Sequence, residues 1–251
     1  MMNPTAAILV IGDEILSGRT KDKNIGWLAE NLTEAGIQLV EARVIADVED
    51  TIIRHVKALS ETVDYVFTSG GIGPTHDDIT THSIAKAFNT PVERNPEALR
   101  LLVEHYRDTD IELNEARLKM ADIPVGATLI DNPVSAAPGF IIHNVHVMAG
   151  VPSIMQAMFD GFVHMLAGGV RPTRITVQCA TGEGNIATIM GDIGSEDGVS
   201  VGSYPWFKPG QFGTAVVVTG LDNSKTKTAA ERLMQAVIDA GFDASIEIAT
   251  E

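Results

Sequence analysis

The chain has 251 residues and a formal net charge of −15 at pH 7. This length suffices for one large domain, or for one medium and one small domain. The acidic balance opposes binding to nucleic acid and to anionic membranes, whereas a small phosphorylated ligand in a locally neutralised pocket remains compatible. A single cysteine, Cys179, excludes an internal disulfide and indicates a reducing compartment. No apolar run is long enough for a signal peptide or a membrane span, so we expect a soluble cytoplasmic protein.

The first third of the chain alternates predicted strands with predicted helices. Such alternation is typical of an open, mainly parallel α/β sheet, whose ligands collect at the carboxyl ends of the strands. Asn24 is predicted to cap the first long helix. Strands are predicted at 6–11, 39–45 and 63–68, and helices from Ile25, from Asp50 or Thr51, and after Asp78.

A glycine-rich turn follows the third predicted strand, in the run Gly70-Gly71-Ile72-Gly73-Pro74-Thr75. Glycines let a ligand approach the backbone, and Thr75 can cap the helix that follows. Free amides beside a helix amino end favour phosphate. The spacing matches neither a P-loop nor a dinucleotide fingerprint. We therefore predict an anion-binding turn.

Two adjacent carboxylates, Asp77 and Asp78, end this turn. Beside a bound phosphate they would require a hard divalent cation such as Mg²⁺ or Mn²⁺. Thr75 and Asp78 also have the spacing of a capping box, which would explain Asp78 by helix termination alone. That alternative leaves Asp77 unexplained.

A second glycine-bounded turn, Gly12 to Gly18, follows the first strand and carries Asp13 and Glu14. If strands one and three are neighbours, these acids converge with Asp77 and Asp78 across one crevice. A solvated turn is an equally good interpretation of Asp13 and Glu14.

The middle of the chain continues the α/β pattern. Arg117 and Lys119 are interpreted as surface residues, and the histidines at 143 and 146 as edge or turn residues. Ser153 is predicted to cap the last helix of this part. Helices are predicted from Asn95-Pro96, over 113–120 and over 154–166, and strands at 127–131 and on both sides of Asn144, with loops at 132–140 and 149–153.

A linker at 168–172 separates a first domain, residues 1–168, from a second, residues 171–251. The second domain has the predicted order β-α-β-β-α-β, which is that of a ferredoxin-like α+β unit. Trp206 and Phe207 lie in its Pro/Gly loop. Either they stack on a ligand or they form a subunit contact, and we favour the contact.

The chain resembles the N-terminal half of the CinA competence/damage-inducible proteins, a branch of the MoaB/MogA molybdopterin-binding domains. The run Gly70 to Thr80 carries most of the resemblance. Supporting segments are Ile11 to Gly18 with Asn24, Asn132-Pro133, Ala137 to Phe140, Gly150 to Pro152, and Ser203 to Pro205.

The resemblance implies a three-layer αβα domain with a mainly parallel sheet, a smaller ferredoxin-like α+β domain, and a homo-oligomer. It also implies a pyrophosphatase that acts on ADP-ribose or a similar nucleotide diphosphate with Mg²⁺, Mn²⁺ or Co²⁺. The alternatives are a molybdopterin-binding or adenylyl-transfer module without hydrolase activity, and a nucleotide sensor that binds without cleaving, which the loss of an acid at Ile154 favours. Asp77 and Asp78 would be catalytic, and Asp77, Asp78 and Glu14 would hold the metal. The implied phosphate and nucleotide contacts are Gly70, Gly71, Gly73, Thr75, Gly12, Asn24, Pro138, Gly139 and Gly150.

The sequence departs from this family at several loops. Ser135-Ala136 stands where relatives carry Gly-Thr, Ile154 replaces an acid, and Leu118 replaces a glutamine after Arg117. Longer CinA proteins add a C-terminal nicotinamide-mononucleotide deamidase domain. The chain ends before that domain, so no deamidase activity is expected.

Overall fold

The structure is a computed structural model that describes residues 3–247. It forms two compact units that divide between Gly169 and Val170. None of the helices in the described part of the chain combines the length and apolarity that crossing a membrane requires.

The first unit is built on a six-stranded sheet, because its early strands are apolar enough to be buried on both faces. The strands of this unit are β1 (Thr5–Ile11), β2 (Gln38–Ile45), β3 (Tyr65–Ser69), β4 (Val92–Arg94), β5 (Asp122–Pro124), β6 (Thr128–Ile130), β7 (Gly139–Ile142) and β8 (Val145–Met148). The sheet order is β2-β1-β3-β8-β7-β6, and β4 pairs with β5 in a separate ribbon. The strands β2, β1, β3 and β8 run parallel, whereas β7 pairs antiparallel with both of its neighbours, β8 and β6.

Helices cover both faces of this sheet. They are α1 (Asp13–Leu16), α2 (Asn24–Glu34), α3 (Glu49–Ser60), α4 (Thr80–Ala87), α5 (Pro96–Tyr106), α6 (Glu115–Leu118) and α7 (Pro152–Phe162), with 3-10 turns at Lys119–Ala121 and Val163–Met165. Alternate residues of β1 enter two separate cores. Leu9 packs with α3, α4 and α5, and Ile8 packs with α2 and α7. The predicted three-layer fold is confirmed.

Strand order decides whether the predicted loops can meet. β1 lies between β2 and β3, with Val10 opposite both Val44 and Ser69. The loops after β1, β2 and β3 therefore emerge side by side at one edge of the sheet. The condition that strands one and three be neighbours is met.

The second unit contains β9 (Thr173–Cys179), α8 (Glu183–Gly194), β10 (Val199–Lys208), β11 (Gln211–Gly220), α9 (Asn223–Asp239) and β12 (Ala244–Glu247). Its sheet has the order β10-β11-β9-β12 and is antiparallel throughout. Val177, Val216 and Val218 pack against Ile186 and Leu233 of the two helices. This confirms the ferredoxin-like prediction; Ile248, expected in the last strand, lies outside the described residues.

Several local predictions were wrong. The turn after β1 contains the short helix α1, and the helix predicted over 113–120 is shortened to α6 and a 3-10 turn. The ribbon β4–β5 was not predicted, because a strand of three residues is too short to show a recognisable alternation of apolar and polar residues. His143 does occupy a turn, with φ 52°. His146 is instead 5% exposed and lies within β8, between β3 and β7.

Candidate functional site

A cleft of about 520 Å³ lies at the carboxyl ends of the first unit's parallel strands. Its walls are the loops after β1, β2, β3 and β8, together with part of the loop before β7. Of the predicted site residues, the cleft is lined by Gly12, Glu14, Gly70, Gly71, Gly73, Asp77, Asp78 and Gly150. Four others, namely Asn24, Thr75, Pro138 and Gly139, do not line it.

The turn after β3 requires glycine. Gly70 has φ +111° and Gly71 has φ +70°, conformations that side chains rarely adopt. A Cβ atom on Gly70 would lie 2.2 Å from the Ile11 carbonyl oxygen, and one on Gly71 would lie 2.1 Å from Thr80 Oγ1. Within residues 3–247, the amides of Gly71, Ile72 and Gly73 donate to no protein acceptor. The three residues line the cleft, and their unpaired amides make this wall suitable for an anion.

The amino end of α7 forms the facing wall through Val151, Pro152 and Ile154. No side chain among residues 3–247 caps this helix, and its first turn contains no acid. The predicted Ser153 cap is therefore wrong. Because the helix dipole is positive at this end, the α7 terminus also favours negative charge. Ile154, which replaces the acid of related sequences, keeps carboxylate charge out of this turn.

The β3 turn and the α7 loop touch through their backbones. A Cβ atom on Gly150 would lie 3.2 Å from the Gly70 Cα atom. Gly70 N–H donates to the Met148 carbonyl oxygen over 3.2 Å. The two anion-favouring walls are thus adjacent.

The outer part of the glycine turn closes on itself and does not begin a helix. Asp78 Oδ2 accepts hydrogen bonds from the Thr75 amide, at 2.8 Å, and from the Thr75 hydroxyl. The helix α4 begins later, at Thr80. Neither the predicted Thr75 cap nor the capping-box interpretation of Asp78 is therefore correct. The proximity of Thr75 is the main cause that lowers the pKa of the exposed Asp77 carboxyl, so Asp77 is ionised at neutral pH.

Lys119 stabilises this outer turn. Its Nζ donates to the carbonyl oxygens of Thr75, at 2.7 Å, and Asp78, at 2.8 Å. Arg117 instead donates to the Glu112 carbonyl oxygen. Lys119 was expected to be a salt-linked surface residue or to reach an anion; its partners are instead these two backbone carbonyl oxygens. No Lys or Arg is among the described residues that line the cleft.

Sequence reasoning missed one acid of the cleft, Asp47, which follows β2. Its Oδ2 accepts the Asp13 N–H over 2.8 Å. Burial raises the pKa of Asp47; the Asp13 N–H opposes that shift, and the charges of Asp13, Glu14 and Asp77 add to it. The available signal was its position directly after a strand that neighbours β1.

Asn24 and Gly139 do not line the cleft, and the contacts of each give it a structural role. Asn24 does not cap α2, because Asp22 accepts from the Asn24 and Ile25 amides. The Asn24 side chain turns inward. Gly139 lies in β7, where a Cβ atom would be 2.1 Å from the Val147 carbonyl oxygen. Close strand packing therefore explains Gly139 without a ligand.

The acids do not form a preassembled metal centre. In the part of the chain that the structure describes, no three His, Cys, Asp or Glu side chains are arranged to hold a metal ion. Glu14 lies over Gly12, where a Cβ atom would be 2.8 Å from both of its carboxylate oxygens, while Asp78 is engaged by Thr75. Any cation would need further ligand atoms from a bound molecule.

Comparison with protein families matches residues 7–168 to a probable molybdopterin binding domain and residues 173–244 to the middle domain of FAD synthase. A protein of Archaeoglobus fulgidus is 32% identical over 233 residues, which cover 92% of this chain and 97% of that protein. A CinA-like protein of Sulfurihydrogenibium sp. is 36% identical over 167 residues, covering 64% of this chain and 42% of that protein.

Among solved structures, CinA from Thermoplasma acidophilum, a protein described as having unknown function, is similar with a TM-score of 0.61. It is 33% identical, and the match covers 66% of this chain and 99% of that one. The matched family model spans nearly all of the first unit, including every residue that lines the cleft. The chain therefore belongs to the molybdopterin-binding domain family.

Proposed function

We propose that the cleft of the first unit binds a small phosphorylated ligand of the molybdopterin type. One observation carries the proposal: Gly71, Ile72 and Gly73, whose amides have no protein acceptor among the described residues, line the same cleft as the amino end of α7. Both groups favour a phosphate. Membership of the molybdopterin-binding domain family supports a phosphorylated pterin as the ligand class.

Apolar side chains supply a wall for the ring of such a ligand. Ile72, Met120, Val151 and Ile154 line the cleft. Its volume of about 520 Å³ lies within the usual range for small-molecule sites, roughly 300–1,000 Å³. A flat heterocycle packed on these side chains would leave its phosphate directed at the amides.

The charge of the cleft argues for a divalent cation bound together with the ligand. Glu14, Asp47 and Asp77 place carboxylates in a cleft whose described lining residues include no Lys or Arg. Crowded negative charge contributes to the raised pKa of Asp47. Carboxylate oxygens suit Mg²⁺ or Mn²⁺, and a cation held by these acids and by phosphate oxygens would neutralise both. The donor set thus fits a hard cation.

The same acids favour a second candidate function, hydrolysis of ADP-ribose or a similar nucleotide diphosphate. In that reaction water attacks one phosphorus and the bridging P–O bond breaks, giving AMP and ribose 5-phosphate. Asp77, ionised and exposed at the cleft, would accept the proton of the attacking water. The glycine-turn amides would stabilise charge on the reacting phosphate.

Ligand binding is tested by fluorescence titration with oxidised molybdopterin, a fluorescent phosphate ester, in the presence of Mg²⁺. Ile154→Glu introduces an acid into the first turn of α7, so we expect affinity to fall about tenfold, equivalent to ~1.4 kcal/mol. Met165→Glu is the matched control, because Met165 is 66% exposed and does not line the cleft. No binding by the wild-type protein, or equal affinity in both variants, contradicts the proposal.

Hydrolysis is tested separately by incubation with ADP-ribose and Mg²⁺, Mn²⁺ or Co²⁺, with AMP as the measured product. Asp77→Asn removes the proton acceptor and should reduce the rate at least about a hundredfold. Absence of AMP with every metal, or full activity in Asp77→Asn, eliminates the second candidate. Either result leaves the proposal of ligand binding unaffected.

A further inference from the structure

Asn24 occupies a position that neither helix capping nor ligand contact explains. Its exposure is 5%, and it does not line the cleft. Asp22 accepts the first amides of α2, so the Asn24 side chain is free of a capping role. It points into the first unit, beneath the two anion-favouring walls.

The Asn24 amide joins those walls. Its Nδ2 donates to Ser69 Oγ, at the end of β3, over 2.7 Å, and to the Gly150 carbonyl oxygen, before α7, over 2.9 Å. Ser69 Oγ in turn donates to the Ala149 carbonyl oxygen over 3.3 Å. One side-chain amide therefore uses both of its hydrogens to tie the β3 turn to the α7 loop.

The other end of the same amide is unsatisfied. Asn24 Oδ1 is buried and has no hydrogen-bond partner among the described residues. A buried acceptor without a partner is destabilising, and an apolar side chain of similar size would avoid that cost. Asparagine at this position is better explained by what its two donated bonds hold than by the stability of the core.

We infer that Asn24 is a positioning residue that sets the spacing between the β3 turn and the amino end of α7. This inference rests on the proposed function, because the two elements it joins form the phosphate site. Gly70 and Gly150 are in backbone contact directly above it. Without the Asn24 amide, the α7 loop keeps the longer bond from Ser69 to Ala149 but loses the direct bond from Asn24 to Gly150.

The test compares Asn24→Leu with Asn31→Leu by amide hydrogen exchange on the full-length protein without ligand. Asn31 is a matched control, since it lies on the same helix and its Nδ2 donates locally to the Trp27 carbonyl oxygen over 2.9 Å. Asn24→Leu should speed exchange about tenfold or more at the hydrogen-bonded amides of Gly70 and Met155. Asn31→Leu should speed exchange only within α2. Unchanged exchange at Gly70 and Met155 in Asn24→Leu overturns the inference.

A milder variant guards against misfolding. Ser69→Ala, a change of one oxygen atom, removes one acceptor of the Asn24 amide and the Ser69 bond to Ala149 but leaves the Asn24 bond to Gly150, so faster exchange is also expected at the same amides. Calorimetric titration with inorganic pyrophosphate and Mg²⁺ then links the tether to the site. Affinity should fall about tenfold in Asn24→Leu and stay unchanged in Asn31→Leu, at similar losses of melting temperature. Equal affinity losses in both variants also overturn the inference.

Amide hydrogen exchange tests the positioning role of Asn24, and pyrophosphate titration of the wild-type protein tests the phosphate site, so the two claims can fail independently. If wild-type protein binds no pyrophosphate yet Asn24→Leu accelerates exchange at Gly70 and Met155, the positioning role stands and the phosphate site fails. If pyrophosphate binds but exchange and affinity are unchanged in Asn24→Leu, the phosphate site stands and the positioning role fails.

Discussion

Acidification should destabilise the first unit through His146. This side chain is 5% exposed and lies among aromatic rings, 5.0 Å from Phe67, 5.2 Å from Phe162 and 5.8 Å from Tyr65 between centroids. Its Nδ1 is buried without a hydrogen-bond partner in the described chain. Burial lowers the pKa of His146 from 6.5 to about 4, because the imidazolium would lose its hydration there.

The sign and size of the effect follow from proton linkage. Between pH 6.5 and 4 the unfolded chain binds a proton at His146 that the folded chain does not, so stability falls as pH falls. The full pKa difference corresponds to about 3 kcal/mol, of which roughly 2 kcal/mol is lost by pH 5. Above pH 6.5 both states hold neutral imidazole and this contribution is constant.

Urea unfolding from pH 7.5 to pH 4.5 measures the prediction. His146→Phe keeps an aromatic ring among its neighbours and removes the titrating group, so the difference in unfolding free energy between wild type and variant should change by about 2.5 kcal/mol across this range. Subtracting the two profiles cancels the carboxylates, including Asp47. His143→Phe, at an exposed turn, is the control and should leave the wild-type profile intact. Parallel profiles for wild type and His146→Phe would refute the argument.

Three further predictions concern the turn and the second unit. Gly70→Ala should cost roughly 3 kcal/mol in urea unfolding, because φ is +111° and the new Cβ meets a carbonyl oxygen, whereas Gly18→Ala, with φ +72° and open space, should cost about 1 kcal/mol. Lys119→Met removes two hydrogen bonds to the outer turn, so proteolysis within 73–78 should accelerate; unchanged cleavage would contradict the tether. Phe207→Ser should shift stability by no more than about 0.5 kcal/mol, because Phe207 is 81% exposed. If its hairpin is the expected subunit contact, sedimentation should also show weaker self-association, and unchanged association removes that expectation.

The fold was predictable where a pattern is local and long. The apolar run of β1 is buried on both faces, so its position in a central strand could be read directly. The β-α-β-β-α-β order similarly defined the second unit. The glycine turn was predictable because a left-handed φ at Gly71 leaves few alternatives to glycine.

The errors share a physical cause, which is that local spacing does not reveal distant partners. Asn24 has the position of a helix cap, but its side-chain partners lie 45 and 126 residues away. Thr75 and Asp78 have capping-box spacing, yet that spacing serves a closed turn equally well. Asp47 becomes a cleft residue only because β2 pairs beside β1. The Asn24 and Asp47 cases needed the strand order, which the sequence does not state, whereas the spacing of Thr75 and Asp78 is compatible with two local structures.

The central claim is that phosphate binds where the β3 turn faces the amino end of α7. Crystals soaked with inorganic pyrophosphate and Mn²⁺ test it most directly, with the cation located by anomalous scattering. We expect phosphate oxygens within hydrogen-bonding distance of the Gly71, Ile72 and Gly73 amides, and Mn²⁺ between the phosphate and the carboxylates of Glu14, Asp47 or Asp77. Pyrophosphate bound elsewhere on the first unit, with the cleft empty at saturating concentration, would contradict the account.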